Sequence, residues 1–222
     1  MLAINTVKDF GLVVTVTNKR LEIILIGGGG HARACIDVIE LNGLYKITGL
    51  VEKDNVNGKG NFGYPIIGTD ENLSDLRKKY GFAMVTVGQI NSASSRVRLF
   101  GELINLGYKL PVIVSPRSYV SPHSKVGAGT IIMHDVIVNT NAEIGQNCII
   151  NNKVLIEHDS TVGDNCHIST GAIVNGGVSV GRESFLGSGA ITKQSVSIGN
   201  NCVIGAGVVI KTNVESNQII KN

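Results

Sequence analysis

One period organises the second half of this chain. Its heads fall at Val120, Val126, Ile132, Val138, Ile144, Ile150, Ile156, Val162, Ile168, Val174, Val180, Leu186, Thr192, Ile198, Ile204 and Ile210, every sixth residue and all aliphatic except Thr192. Four residues after each head stands a small or β-branched residue, from Ser124 and Thr130 through Cys148, Cys166 and Cys202 to Val214. A helix repeats its apolar face about every 3.6 residues and a strand about every two, so neither produces this spacing. A solenoid with flat faces does, one hexad to a face and three faces to a coil. Sixteen hexads then make a little over five coils of eighteen residues. Gly, Asn and Asp recur just after the heads, as in Ile144-Gly-Gln-Asn and Val162-Gly-Asp-Asn. These residues tolerate the backbone angles of tight corners. The large head fills the prism, and the small fifth residue fits where its walls converge.

Composition narrows the classes of function. No run approaches the ~18 apolar residues of a membrane span, and the start lacks the apolar stretch of a signal peptide, so a cytoplasmic location is expected. Cys35, Cys148, Cys166 and Cys202 show no CxxC spacing, and the last three stand at fifth positions, where a free thiol acts as a small hydrophobe. The net charge of +3 lies wholly in residues 1–115, which carry 13 Lys/Arg against 10 Asp/Glu. No basic stripe interleaved with aromatics accompanies it, so nucleic acid is not an expected partner. A small phosphorylated ligand suits the balance.

Residues 1–20 carry no clear pattern and are set aside as a leader or extra segment. Leu21–Ile26 reads as a buried strand running into Gly27-Gly28-Gly29-Gly30-His31 and a helix over 32–41. Such a turn presents free N–H groups at the positive end of a helix dipole, a seat for phosphate. A second strand over 47–51 ends in Glu52-Lys53-Asp54, about where a dinucleotide-binding unit places its ribose- or base-reading acid. A helix (73–80), a strand (83–87) and a helix (95–106) complete a Rossmann-like α/β unit over 21–115, and the solenoid takes 116–222. Four successive glycines fit the G-x-G-x-x-A fingerprint loosely and in several registers. The turn alone therefore leaves a nucleotide, a nicotinamide cofactor and no ligand all open.

His158 is the third residue of the hexad headed by Ile156 and points out of the prism. Imidazole titrates near neutral pH and suits general-base work, but by position alone an exposed corner residue reads equally well. His167 lies nine residues on, half a coil away, so the two histidines occupy different faces of one chain and meet only across a subunit boundary.

Gly-Gly-Gly-His after the first strand, the short Rossmann-like unit and hexads containing Ile156-Glu-His158-Asp159 together resemble one family. It is the hexapeptide-repeat sugar O/N-acetyltransferase family: the bacillosamine and perosamine N-acetyltransferases and their sialic-acid O-acetyltransferase relatives. The resemblance covers residues 21–215. It implies a left-handed parallel β-helix, a homotrimer with active sites between subunits, acetyl-CoA as co-substrate and no metal. The implied reaction acetylates the amino group of a UDP-, GDP- or dTDP-linked amino-deoxysugar for bacterial glycan synthesis. O-acetylation of a sialic acid or related hydroxyl is the alternative. The resemblance puts the general base on His158 and its supporting carboxylate on Asp159. It places Gly29, Gly30, His31, Glu52, Lys53, Gly88 and Asn151 at acceptor-binding positions, and His167, Ser188 and Ala206 at acetyl-CoA-binding ones. The family's usual pair of acids after the second strand is here Glu52-Lys53, which leaves the base of the nucleotide open.

Two readings of other classes stand beside this one. A metal-dependent hydratase on the same solenoid needs three convergent histidines, and His123 and His134 lie well away along the prism from His158 and His167. A non-catalytic scaffold needs only the solenoid.

Overall fold

The computed structural model describes residues 8–9, 12–13, 20–53 and 60–221. Lys8–Asp9 and Leu12–Val13 pair antiparallel. The rest of the expected leader or extra segment, and Asp54, lie outside the described residues.

The N-terminal module is a four-stranded parallel sheet. Its elements are β1 (Leu21–Ile26), α1 (Gly30–Asn42), β2 (Tyr45–Val51), β3 (Ile66–Gly68), α2 (Leu73–Arg77), β4 (Phe82–Val85) and α3 (Ser94–Asn105). The strand order is β3-β2-β1-β4. β1 is apolar on both sides because both are covered: Ile23 and Leu25 pack toward α1, Ile24 and Ile26 toward α2 and α3. Burying each of these four side chains contributes about 2 kcal/mol. Helix and strand bounds agree with the sequence reading to within a few residues, the range over which terminal turns fray. β3 has no counterpart in that reading; three residues beside Pro65 are too few to show a period.

The solenoid is a left-handed parallel β-helix of two-residue strands stacked in three sheets. Face one runs from Ile113–Val114 through Ile131–Ile132, Ile149–Ile150, His167–Ile168, Phe185–Leu186 and Val203–Ile204 to Ile219–Ile220. Face two carries Tyr119–Val120, Ile137–Val138, Leu155–Ile156, Ile173–Val174, Ile191–Thr192 and Val209–Ile210. Face three carries Lys125–Val126, Glu143–Ile144, Thr161–Val162, Ser179–Val180 and Ser197–Ile198. Partners stand eighteen residues apart, as in Ile149↔His167 and Ile137↔Leu155. The heads from Ile132 to Ile210 are buried and form one core. Thr192 is buried with them, and its hydroxyl accepts the Asn175 N–H at 3.0 Å. Pairing opens at Ile113–Val114, just ahead of the 115/116 junction.

Corners recur three residues after each head with positive φ: Asp135, Asn141, Asn147, Lys153, Asp159, Asn165 and onward. At the corner between faces three and one, the residue after the head must be glycine for another reason. A Cβ on Gly163 would stand 2.7 Å from the Arg182 backbone nitrogen of the next coil.

Two expectations need correction. The fifth-position residues are more than small fillers. Thr130, Cys148, Ser160, Cys166 and Ser184 donate to corner carbonyls of the following coil, at 2.8, 3.1, 2.9, 3.1 and 2.9 Å. Thiol and hydroxyl thus satisfy the same buried carbonyl. The period also slips at its end. Val214 bridges Ile198, sixteen residues back, so it takes a head position on face three instead of the fifth place after Ile210.

The N-terminal module lies on face one. Ile131, Met133 and Ile149 point out of the prism and share a core with β1 and α1. Arg96 of α3, 1% exposed, crosses the junction and donates to Val87 O (2.7 Å), Asn147 O (2.6 Å) and Asn147 Oδ1 (2.9 Å). His134 is bound between Asp37 of α1 and Ser115, each at 2.7 Å.

Candidate active site

The glycine turn is built as the sequence required. Gly27 has φ +105°, outside the range of most side chains, and its carbonyl accepts the Thr86 hydroxyl at 2.6 Å. Gly28 lies against Glu52, whose Oε1 would be 1.8 Å from any Cβ placed there, and its carbonyl accepts the Asn61 amide. Gly29 caps α1 with no side-chain partner, and space around it is open to 4 Å. The first N–H groups of α1 therefore have no side-chain cap. Gly88, after β4, lies against the base of the His31 side chain; a Cβ there would be 3.4 Å from His31 Cβ. Lys53 is exposed beside Glu52.

His167 points out of the prism but is not exposed: the N-terminal module covers it, leaving 8%. Its Nδ1 lies 2.6 Å from the Gln89 carbonyl, so Nδ1 carries the proton. Nε2 then accepts from Asn151 Nδ2 at 3.3 Å. The Asn151 Oδ1 accepts the Asn152 N–H, which fixes the orientation of the amide. Phe185 packs edge-on against His167, and the His31 ring stands 6.5 Å away. Burial first, and the Arg96 charge, hold the imidazole of His167 down at about 4. Burial, Arg96 and His167 hold that of His31 at about 3. Both rings are neutral at ordinary pH.

His158 and Asp159 sit elsewhere, on the corner between faces two and three. His158 Nδ1 is 2.8 Å from Asp159 Oδ2, and Asp159 Oδ1 accepts from Asn141 Nδ2 at 2.7 Å. Asp159 takes positive φ (60°), as corner asparagines do. The hydrogen bond to Asp159 raises the His158 pKa, while Asn141 and His158 together lower that of Asp159. The Nε2 edge lies over Gly176, where a Cβ would come within 2.8 Å. Ser188 and Ala206 are exposed on the corner between faces one and two, the corner that also carries Asn151.

One chain therefore gathers Gly29, Gly30, His31, Glu52 and Gly88 of the N-terminal module with Asn151 and His167 of the solenoid, where the module meets face one. It keeps the His158–Asp159 pair on a separate corner. Gln89, Phe185 and Asn141 escaped the sequence reading. Asn141 was within reach of it, since it stands one coil before Asp159.

Residues 22–101 match the family model described as PglD N-terminal domain, and residues 177–212 that of the hexapeptide repeat of succinyl-transferase. A curated relative, an uncharacterized protein of Acanthamoeba polyphaga mimivirus, is 32% identical over 118 residues; these are 51% of this chain and 24% of that protein. The chain thus spans about a quarter of the length of that relative. Among solved structures, PerB from Caulobacter crescentus, in complex with CoA and GDP-perosamine, is 30% identical with TM-score 0.83, covering 89% of this chain and 92% of that one. The chain belongs to the hexapeptide-repeat sugar acetyltransferase family. This acetyltransferase is also similar to the acetyltransferase domain of PglB from Neisseria gonorrhoeae in complex with acetyl coenzyme A. Identity there is 28%, TM-score 0.84, and coverage 90% of this chain and 96% of that domain. As an acyltransferase of this family, the protein is an enzyme with the solenoid as its transferase framework.

Proposed function

We propose that the protein transfers the acetyl group of acetyl-CoA to the amino group of a nucleotide-linked amino-deoxysugar for glycan synthesis in the cytoplasm. The observation that carries the reading is the outward His158–Asp159 pair, in a chain similar over its length to a protein solved with CoA and GDP-perosamine. Among the described residues His158 Nε2 has no hydrogen-bond partner, and Nδ1 is oriented by a carboxylate. It takes the proton of the attacking amine and returns it to the departing thiolate. Asp159 holds the ring and favours the imidazolium formed on the way. Backbone N–H groups of the coils stabilise the tetrahedral oxyanion. The unit over 21–115 holds the nucleotide at Gly29, Gly30 and His31, with Glu52, Lys53 and Gly88 around it. Asn151 meets the sugar. The solenoid over 116–222 brings the acetyl donor along Ser188 and Ala206 and toward His167. No metal enters this scheme.

The enzyme works as a homotrimer in this reading, and face two supports it. Outward residues of face three are Lys125, Glu143, Thr161, Ser179 and Ser197, all exposed and polar. Those of face two are Tyr119, Ile137, Leu155, Ile173, Ile191 and Val209, a continuous apolar stripe in which Tyr119 is 55% and Val209 52% exposed. A stripe of that length marks an interface. His158 stands on one of its edges and Asn151, Ser188 and Ala206 on the other. Packing copies by this face sets one subunit's His158 against the next subunit's acceptor and donor residues.

The experiment is a transfer assay with acetyl-CoA and a panel of UDP-, GDP- and dTDP-linked amino sugars, with sialic acid as hydroxyl acceptor, followed by mass spectrometry. Acetylated amine is expected. Transfer to a hydroxyl only, or to nothing, overturns the reading.

A further inference from the structure

His31 is the second residue of α1, and Cys35 follows one helical turn later, on the same face. Cys35 is fully buried, and its Sγ lies 3.3 Å from His31 Nε2. Among the described residues, Sγ makes no hydrogen bond to any other acceptor. A thiol is a weak donor, but its sulfur is a poorer acceptor than the lone pair of an imidazole nitrogen. The proton between them therefore belongs to sulfur. Burial pushes the Cys35 thiol up to about 12, and His31 is held down at about 3, so neither group ionises near neutral pH.

We propose that Cys35 is a positioning residue: its S–H donates to His31 Nε2, places the ring proton on Nδ1, and so makes His31 a fixed N–H donor toward the glycine turn. The ligand atom it suits is an acceptor oxygen, of a phosphate or a sugar hydroxyl, lodged at Gly27–Gly30. This rests on the nucleotide-sugar reading of the turn. Three further observations support it. Nδ1 of His31 has no partner among the described residues. The neighbouring ring, His167, is itself locked, with its proton on Nδ1 toward Gln89 O. Gly88 packs against the Cβ–Cγ end of His31 with no side chain of its own to displace it. A neutral donor beside the helix N-terminus adds direction to a site whose charge preference the backbone already sets.

The test combines imidazole ¹⁵N spectra of the whole protein with steady-state kinetics for Cys35→Ser and Cys35→Ala. Wild type at pH 7 should show His31 protonated on Nδ1 and bare on Nε2. Cys35→Ser keeps a donor and should preserve that pattern and the KM for the nucleotide sugar. Cys35→Ala should give mixed tautomers and raise that KM about three- to tenfold, the worth of one oriented hydrogen bond, with kcat and the KM for acetyl-CoA unchanged. An Nε2-protonated His31 in wild type overturns the proposal, as does a Cys35→Ala enzyme with unaltered KM. Should the alanine variant not fold, the wild-type and serine spectra decide alone. A locked Nδ1 tautomer in a protein that acetylates no nucleotide sugar upholds the lock and overturns the functional reading.

Discussion

Asp159 binds His158 Nδ1 at 2.8 Å while its other carboxylate oxygen accepts from Asn141 at 2.7 Å, so the ring is oriented by a carboxylate that is itself held. Asn141 lies one coil below Asp159. The eighteen-residue stack therefore supplies the support that a solvent-exposed dyad otherwise lacks.

His158→Ala should lower kcat about 10²- to 10⁴-fold without changing the assembly, the range for loss of a general base. The base works only when neutral, and Asp159 raises its pKa, so kcat/KM should fall on the acid side. Asp159→Asn removes that raising influence. It should move the acid limb to lower pH while depressing the plateau. Initial rates across pH give both numbers, and an unmoved limb contradicts the assigned pair.

Face two should govern assembly. Ile137→Glu or Ile173→Glu places a charge in the apolar stripe and should yield monomers with little transferase activity. Thr161→Glu, on the polar third face, should leave both unchanged. Light scattering beside activity measurements decides, and a trimeric Ile173→Glu enzyme would remove face two as the interface.

Acid should destabilise the fold through His31 and His167. Unfolded, both take up protons near 6.5; folded, they resist until about 3 and about 4. The unfolded state thus binds more protons between these values, and stability falls as pH drops through that window, being whole above it. Urea midpoints at pH 7.5, 6, 5 and 4 should decline accordingly. His167→Gln should flatten the slope while lowering the midpoint at neutral pH.

Two glycine substitutions should separate the two reasons for glycine in the coils. Gly171→Ala meets nothing within 4 Å and suffers only from φ +67°, costing about 1 kcal/mol. Gly163→Ala drives a Cβ to 2.7 Å from the backbone of the next coil, which cannot yield as a side chain would, and should cost about 3 kcal/mol or prevent folding. Denaturant titration gives the order, and equal losses would refute the distinction.

Much of this was legible in the amino-acid order because a solenoid writes its geometry locally. Ile132, Ile150 and Ile168 each repeat the same statement about one face, and their coincidence leaves few alternatives. The glycine turn at 27–30 was likewise local. The covered state of His167 was not, because it depends on Gln89, 78 residues away, and on how α1 and α3 seat on face one. Nothing in the hexad Val162–His167 records that contact. Cys35 carried no signal of its own for the same reason: its bond to His31 matters only once the turn is known as a site. The early slip at Val214 was missed because valine suits a head and a fifth position equally.

The stack of coils also makes the enzyme a ruler. Position along the prism advances in whole coils of eighteen residues, about 4.8 Å each, the spacing of neighbouring strands. A change of length within a strand shifts the residues after it off their walls, whereas one within a corner is absorbed there: after the shortening before Val214, Val214 still joins face three and Ile219–Ile220 face one. Among the described residues the one coil that departs from eighteen, short by two residues at Val214, falls after Ala206, the last residue proposed for the donor track. Between Asn151 and Ala206 every strand pairing keeps the eighteen-residue step, so one added full coil there would move these two residues apart by one strand spacing.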